Sequence, residues 1–111
     1  MLLAGIFGGE TAEKVLLYMR SYGSGYPRGI STTFDIPVSQ VQRQLERFER
    51  EGVLASRLVG KTREYNWNPR YMFREELQSL LGKALEKLPA EYQNKYFRAR
   101  TRPRRRGKPL P

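Results

Sequence analysis

Residues 38–51 carry one apolar stripe on an otherwise polar run, and no other stretch narrows so far what this chain can become. Val38, Val41, Leu45 and Phe48 recur at spacings of three and four residues, the period that sets them on one side of an α-helix. Such a helix docks that side on a core and turns Ser39, Gln40, Gln42, Arg43 and Arg47 outward. Pro37 marks its start, since proline disfavours helix at the preceding Ile36 and suits a first helical turn. Gly52 supplies a left-handed stop.

Beyond Gly52 the period changes. Residues 53–59 are rich in branched side chains, Gly60-Lys61 falls at a turn, and residues 62–67 are β-prone with Tyr65 and Trp67 on one face. This is the pattern of a β-hairpin. Asn68-Pro69 ends its second strand, because a proline cannot serve a central ladder. Upstream, residues 11–22 read as a first long helix. Thr11 is its candidate N-cap, Val15, Leu16 and Met19 follow helical spacing, and Leu17 and Tyr18 widen the apolar face. Gly and Pro between Ser21 and Pro27 break that helix. A short helix is expected over 27–34, opened by Pro27 but burdened with β-branched Ile30, Thr32 and Thr33.

Helical spacing returns between Phe73 and Leu88, with Leu77, Leu80, Leu81, Leu85 (or Ala84) and Leu88 on one side. Pro89 interrupts, and residues 90–100 have room for another short helix carrying Tyr92, Tyr96 and Phe97. Residues 101–111 are Arg- and Pro-rich, a composition expected to stay disordered unless a partner holds it. The chain therefore divides into a folded body over 1–88 and a partly disordered basic extension over 89–111. Charge follows the same boundary. Eight cations after Pro89 (Lys95, Arg98, Arg100, Arg102, Arg104, Arg105, Arg106 and Lys108) against Glu91 give +7 of the net +10, leaving +3 for the body. Basic arms meet polyanions, nucleic acid above all, although a solubilising tail has the same composition.

The sequence contains no histidine and no cysteine. The commonest general base, the commonest metal ligands and any disulfide are thereby missing. No dense acidic cluster suits a hard cation, and no nucleophile–base pair can be assembled. A binding protein is expected rather than an enzyme, with no cofactor and no metal. No run of about 20 apolar residues is present to span a bilayer. The apolar opening over 1–7 lacks a basic leader and reads as a lead-in to the fold, not a secretory signal. The default expectation is a cytoplasmic protein.

The order is helix, short helix, tight turn, amphipathic helix, then a hairpin with a basic tip, which is the order a helix-turn-helix with a wing requires. The second helix of such a pair enters the major groove while the first braces it across the backbone. Gln pairs bidentately with adenine, Arg with guanine, and Ser with base or phosphate. Base contacts come mostly from the N-terminal half, so Ser39, Gln40, Gln42 and Arg43 rank first and Arg47 is placed to reach phosphate. Arg57, Lys61 and Arg63 set three cations on or beside the Gly60 turn, within reach of the backbone or a minor groove. Charged residues also protect an exposed hairpin from edge pairing, and any amphipathic surface helix shows Gln and Arg outward.

The run Val41-Gln42-Arg43-Gln44-Leu45-Glu46-Arg47-Phe48-Glu49-Arg50-Glu51-Gly52-Val53-Leu54 resembles the recognition-helix segment of ArsR-like and MarR-like winged helix-turn-helix regulators. Val59-Gly60-Lys61-Thr62-Arg63-Glu64-Tyr65-Asn66-Trp67-Asn68-Pro69 is similar to their wing and its exit. The resemblance covers residues 6–82. It implies an α+β, mostly α fold: a three-helix core, a two-stranded wing, and here an extra C-terminal helix and basic tail. It also implies sequence-specific binding of double-stranded DNA in transcription regulation, commonly as a dimer. By position, Val38, Ser39, Gln40, Gln42 and Arg43 would face the groove, and Lys61 with Arg63 would form the wing tip. The chain departs from the pattern at Pro37, where a capping Ser or Thr is usual, and at Phe34-Asp35-Ile36, where small residues and glycine are usual. The Cys and His ligands of metal-sensing members are absent.

A homodimer is expected through the first helix and the 73–88 helix, because two-fold dimers read half-sites about one DNA turn apart. The same leucines serve equally well as cover for the core of a single chain. The tail arginines Arg100, Arg102, Arg104, Arg105 and Arg106 are expected to add phosphate contacts. Two other functions fit the composition: a winged-helix protein–protein interaction module, and RNA binding through the basic tail and stacking by Tyr92, Tyr96 and Phe97.

Overall fold

The helix at the centre of the protein, α2 (Glu10–Tyr22), is apolar on more than one side, and Ala12, Val15, Leu16, Leu17 and Met19 are all buried. A helix of that kind must be surrounded, and the rest of the fold does so. A computed structural model describes residues 2–98: an α+β fold, mostly helical, with one three-stranded antiparallel sheet. Against α2 pack the short α1 (Ala4–Phe7), α4 (Val38–Arg50) and α5 (Arg74–Lys87).

The sequence places the start of α2 at a Thr11 cap, but the helix begins at Glu10 after Gly9, and Thr11 lies within its first turn. Glu10 and Glu13 are the acids of that turn, where the positive end of the helix dipole favours them. Glu13 is fully buried, and one of its oxygens accepts from the Leu3 amide at 3.0 Å, fixing α1 on the core. Gly23, with φ of 84°, ends the helix.

Where the sequence shows only a break, the backbone forms a third strand, β1 (Ser24–Gly25). It pairs with β3 (Thr62–Trp67), Ser24 opposite Asn66 and Gly25 opposite Tyr65. Two residues are too few for any periodicity, so the hairpin of β2 (Leu54–Val59) and β3, expected as a two-stranded wing, becomes part of a sheet of order β1-β3-β2. Gly25 is needed at this position. A Cβ there would lie 3.0 Å from Tyr18 Cε1 and 3.1 Å from Ile30 Cδ1, closer than packed carbons sit.

The short helix α3 (Pro27–Phe34) starts on its proline as expected and buries Ile30 and Phe34. Asp35 then takes a left-handed conformation, φ 56°, one that Asp tolerates better than most residues. Ser31 locks the turn: its carbonyl accepts from the Ile36 amide at 3.1 Å and its hydroxyl donates to the Ile36 carbonyl at 2.5 Å. In α4, Val41 and Leu45 are fully buried, Phe48 is nearly so, and Val38 is half-buried. Gly52, φ 85°, is the stop the sequence announces.

The strand β2 (Leu54–Val59) pairs with β3 in the register Leu54–Trp67, Ser56–Tyr65, Leu58–Arg63. Leu54 and Tyr65 therefore share the core face, and Trp67 on the same face donates from Nε1 to the Met19 carbonyl at 3.1 Å. The leucine stripe of α5 is divided. Leu81, Ala84 and Leu88 are buried and Leu77 and Leu85 partly so, whereas Leu80 is 39% exposed. After Pro89 come α6 (Ala90–Tyr92) and a π-helical stretch (Gln93–Arg98). That stretch returns Tyr96 and Phe97 to Phe34, with ring centroids 5.1 and 5.8 Å away. Among the described residues no helix is long and apolar enough to cross a membrane.

Candidate nucleic-acid interface

The register of the hairpin decides what its far end can do. From Ser56 and Tyr65 inward the ribbon lies on the core, but every residue from Arg57 to Arg63 is exposed. The hairpin therefore projects, and Leu58 and Arg63 continue the core-facing side into open space beside α4. Between that overhang, α4 and the start of α3 lies a notch of about 350 Å³, lined by Arg28, Gln42, Leu58, Lys61 and Arg63 among others. Three cations and the amide of Gln42 converge there, without an acid in the lining.

Along α4, Ser39, Gln40, Gln42 and Arg43 are all exposed. They form one polar surface because the stripe opposite holds the helix on the core. Pro37 gives the helix no side-chain cap, and no acid lies in its first turn, so this end keeps the positive character that favours anions.

The cations of the hairpin differ in their engagements. Arg57 Nε donates to Glu64 Oε1 at 3.0 Å, on the face of the ribbon away from the notch. That hydrogen bond, with a second from Asn66, holds the Glu64 carboxyl below the usual carboxylate range. Arg63 Nη1 donates to Ser56 Oγ at 3.0 Å, and Ser56 Oγ donates to Glu49 Oε2 at 2.6 Å, linking hairpin to α4. Lys61 is exposed at the turn beside Gly60, φ 64°.

Arg47, ranked as a phosphate ligand from its place on the helix, makes contacts within the protein. Its Nη2 donates to the Phe7 carbonyl at 2.6 Å and to Gln44 Oε1 at 2.9 Å, and its guanidinium lies over the Phe48 ring at 4.7 Å. It faces α1, whose presence the sequence did not announce, and its Nε and Nη2 donors are engaged within the protein.

Arg28 is the residue that sequence reasoning missed. It sits in the first turn of α3, a position without periodic signal, and only the folded turn from α3 to α4 brings it beside Gln42. Of the aromatics considered for base stacking, Phe97 is buried and Tyr96 half-buried against Phe34, while Tyr92 is 44% exposed. The first helix and the 73–88 helix do meet, but within one chain: Arg20 Nε donates to the Gln78 carbonyl at 3.1 Å. Arg100, Arg102, Arg104, Arg105 and Arg106 lie outside the described residues. Comparison with family models, with curated proteins and with solved structures gave no match for this chain.

Proposed function

We propose that this protein is a winged helix-turn-helix protein that binds double-stranded DNA sequence-specifically and regulates transcription. In this reading α3 and α4 are the helix-turn-helix, α4 enters the major groove, and the β2–β3 hairpin is the wing. The observation that carries it is the notch. The major groove is about 12 Å wide and admits a helix, and the phosphate ridge beside it separates it from the minor groove. With α4 in the groove, that ridge enters the notch and meets Arg28, Lys61 and Arg63, while Ser39, Gln40, Gln42 and Arg43 face base edges. Val38, half-buried, contributes an apolar contact at the start of the helix. The chemistry proposed is binding, with no catalytic step.

The outer side of α5 is the surface proposed for a homodimer. Leu80 lies there among Glu75, Glu76 and Lys83, and an antiparallel pairing of two copies sets acids near the start of one helix against lysine near the end of the other. The basic extension adds sequence-independent phosphate affinity.

The test is selection from a random DNA library by purified protein at about 150 mM salt, followed by sequencing. Enrichment of a motif supports the reading, and two-fold symmetry in it supports the dimer. Absence of any duplex binding overturns the reading and favours a protein-interaction module.

A further inference from the structure

The hairpin tip carries two apolar side chains that the fold does not use. Leu58 is 64% exposed and Val59 42% exposed, both before the Gly60 turn. Strand alternation puts them on opposite faces of the ribbon, Leu58 beside Arg63 and Val59 beside Thr62 in the register. Exposed branched residues at the end of a projecting hairpin are an aggregation risk, normally countered by charge. Here charges flank the pair instead of replacing it: Lys61 and Arg63 lie within the same exposed stretch, while Arg57 on the Val59 face is paired with Glu64. An apolar pair flanked by Lys61 and Arg63 is complementary to a surface that is apolar at its centre and anionic at its edges.

The DNA minor groove is such a surface. Its walls are deoxyribose C–H groups, its rims are phosphates, and at about 6 Å it is too narrow for the ribbon but not for its tip. Proteins that press apolar side chains into it partly unstack a base step and bend the duplex towards the major groove.

We propose that Leu58 and Val59 form an apolar wedge that enters the minor groove next to the α4 site and bends the duplex. This rests on the DNA-binding reading above and adds to it a partner surface and a mechanical effect. Leu58, lining the notch, packs on the sugars of the ridge that the notch holds. Val59 faces the opposite wall, and Lys61 and Arg63 reach the phosphates of the rims, Arg57 being held by Glu64. Sequence preference then arises at positions that α4 does not touch, because pyrimidine–purine steps such as TA deform most readily whereas A-tracts are stiff.

The experiment uses the full chain and a duplex of about 30 base pairs, A·T-rich, with a donor and an acceptor dye at its two ends. Wild-type protein should bring the ends closer and be displaced by netropsin, a minor-groove ligand. The double variant Leu58→Ser/Val59→Ser should lose the bend and bind roughly ten- to a hundredfold more weakly. Its salt slope should stay unchanged, because no phosphate contact is removed. Leu58→Met/Val59→Ile should restore bending, which separates an apolar role from a fold defect. If the serine variant binds and bends as wild type does, the wedge is overturned while the α4 interface stands. A serine variant with unaltered DNA binding but altered mass in light scattering also overturns it, and gives the pair to a contact between copies. If wild-type protein binds no duplex at all, the underlying interface fails first, and the wedge with it.

Discussion

Arg47 reaches from α4 to the carbonyl oxygen of Phe7, a hydrogen bond of 2.6 Å across forty residues of sequence. This bond and the one from the Leu3 amide to Glu13 hold α1 at both its ends. A charged donor on a partly buried carbonyl is among the stronger hydrogen bonds of a fold.

Arg47→Ala should therefore lower stability by about 1–3 kcal/mol, the range for losing a charge-assisted bond and a cation–π contact. Urea unfolding measures it. DNA affinity, compared at a temperature where both proteins are folded, should change less than about threefold. A large loss of affinity with an unshifted urea midpoint would return Arg47 to the interface.

The polar side of α4 and the hairpin tip should separate in their effects. Gln42→Ala or Arg43→Ala should relax sequence preference by about 1–3 kcal/mol of discrimination at one base pair. Lys61→Ala or Arg28→Ala should weaken binding to all sequences alike and reduce the log–log salt slope by about 0.9 for each phosphate lost. Arg57→Ala should change the slope less, since Glu64 already holds that guanidinium. Titration of selected and scrambled duplexes at several salt concentrations distinguishes these outcomes.

Two glycines should respond to alanine differently. At Gly25 the new methyl meets Tyr18, Ile30 and Met19 inside the core, and overpacking of this kind costs about 1–3 kcal/mol. At Gly82, inside α5, it meets only the guanidinium end of Arg20, at 2.8 Å, which must shift at some cost to its bond with the Gln78 carbonyl. The helix propensity gained, about 1 kcal/mol, should leave Gly82→Ala neutral or slightly stabilised. Equal urea midpoints for the two variants would contradict the packing described around Gly25.

Tyr65 gives the alkaline limb of stability a specific cause. Burial first, and then the nearby Glu49 and Glu46, disfavour its phenolate, so its folded pKa lies above the usual 10.0. The unfolded chain ionises first. The contribution is intact below pH 10 and is lost as pH rises from there through the folded value. Tyr65→Phe should flatten that decline in unfolding measurements between neutral pH and about pH 11. An identical alkaline limb would show that Tyr65 does not ionise with the unfolding transition.

The elements legible in the sequence are those whose period is repeated often enough to be seen. Val41, Leu45 and Phe48 announce α4, and Gly60 between two β-prone runs announces the hairpin. Tyr65 and Trp67 lie on the shared face that alternation assigns them. What was not legible depends on distant pieces of chain meeting. The strand at Ser24–Gly25 exists only because β3 lies beside it. The roles of Arg47 and Arg28 follow from α1 and from the α3–α4 turn, neither of which carries a periodic signal. Helical spacing in α5 gave the apolar side but not its division, since Leu80 and Leu81 are adjacent in sequence and only the second is buried.

The two residues of β1 have a mechanical consequence. They pair with Asn66 and Tyr65 and, with the Trp67 bond to Met19, grip β3 at its root on the side opposite β2. Beyond Glu64 β3 has β2 alone for support. The hairpin is thus a cantilever, clamped at one end, and a small rotation at the clamp becomes a larger displacement at Lys61. Substitutions at Ser24, Asn66 or Trp67, none of which lines the notch, would alter the aim of the tip and so, in the DNA complex proposed, the distance it spans along a duplex.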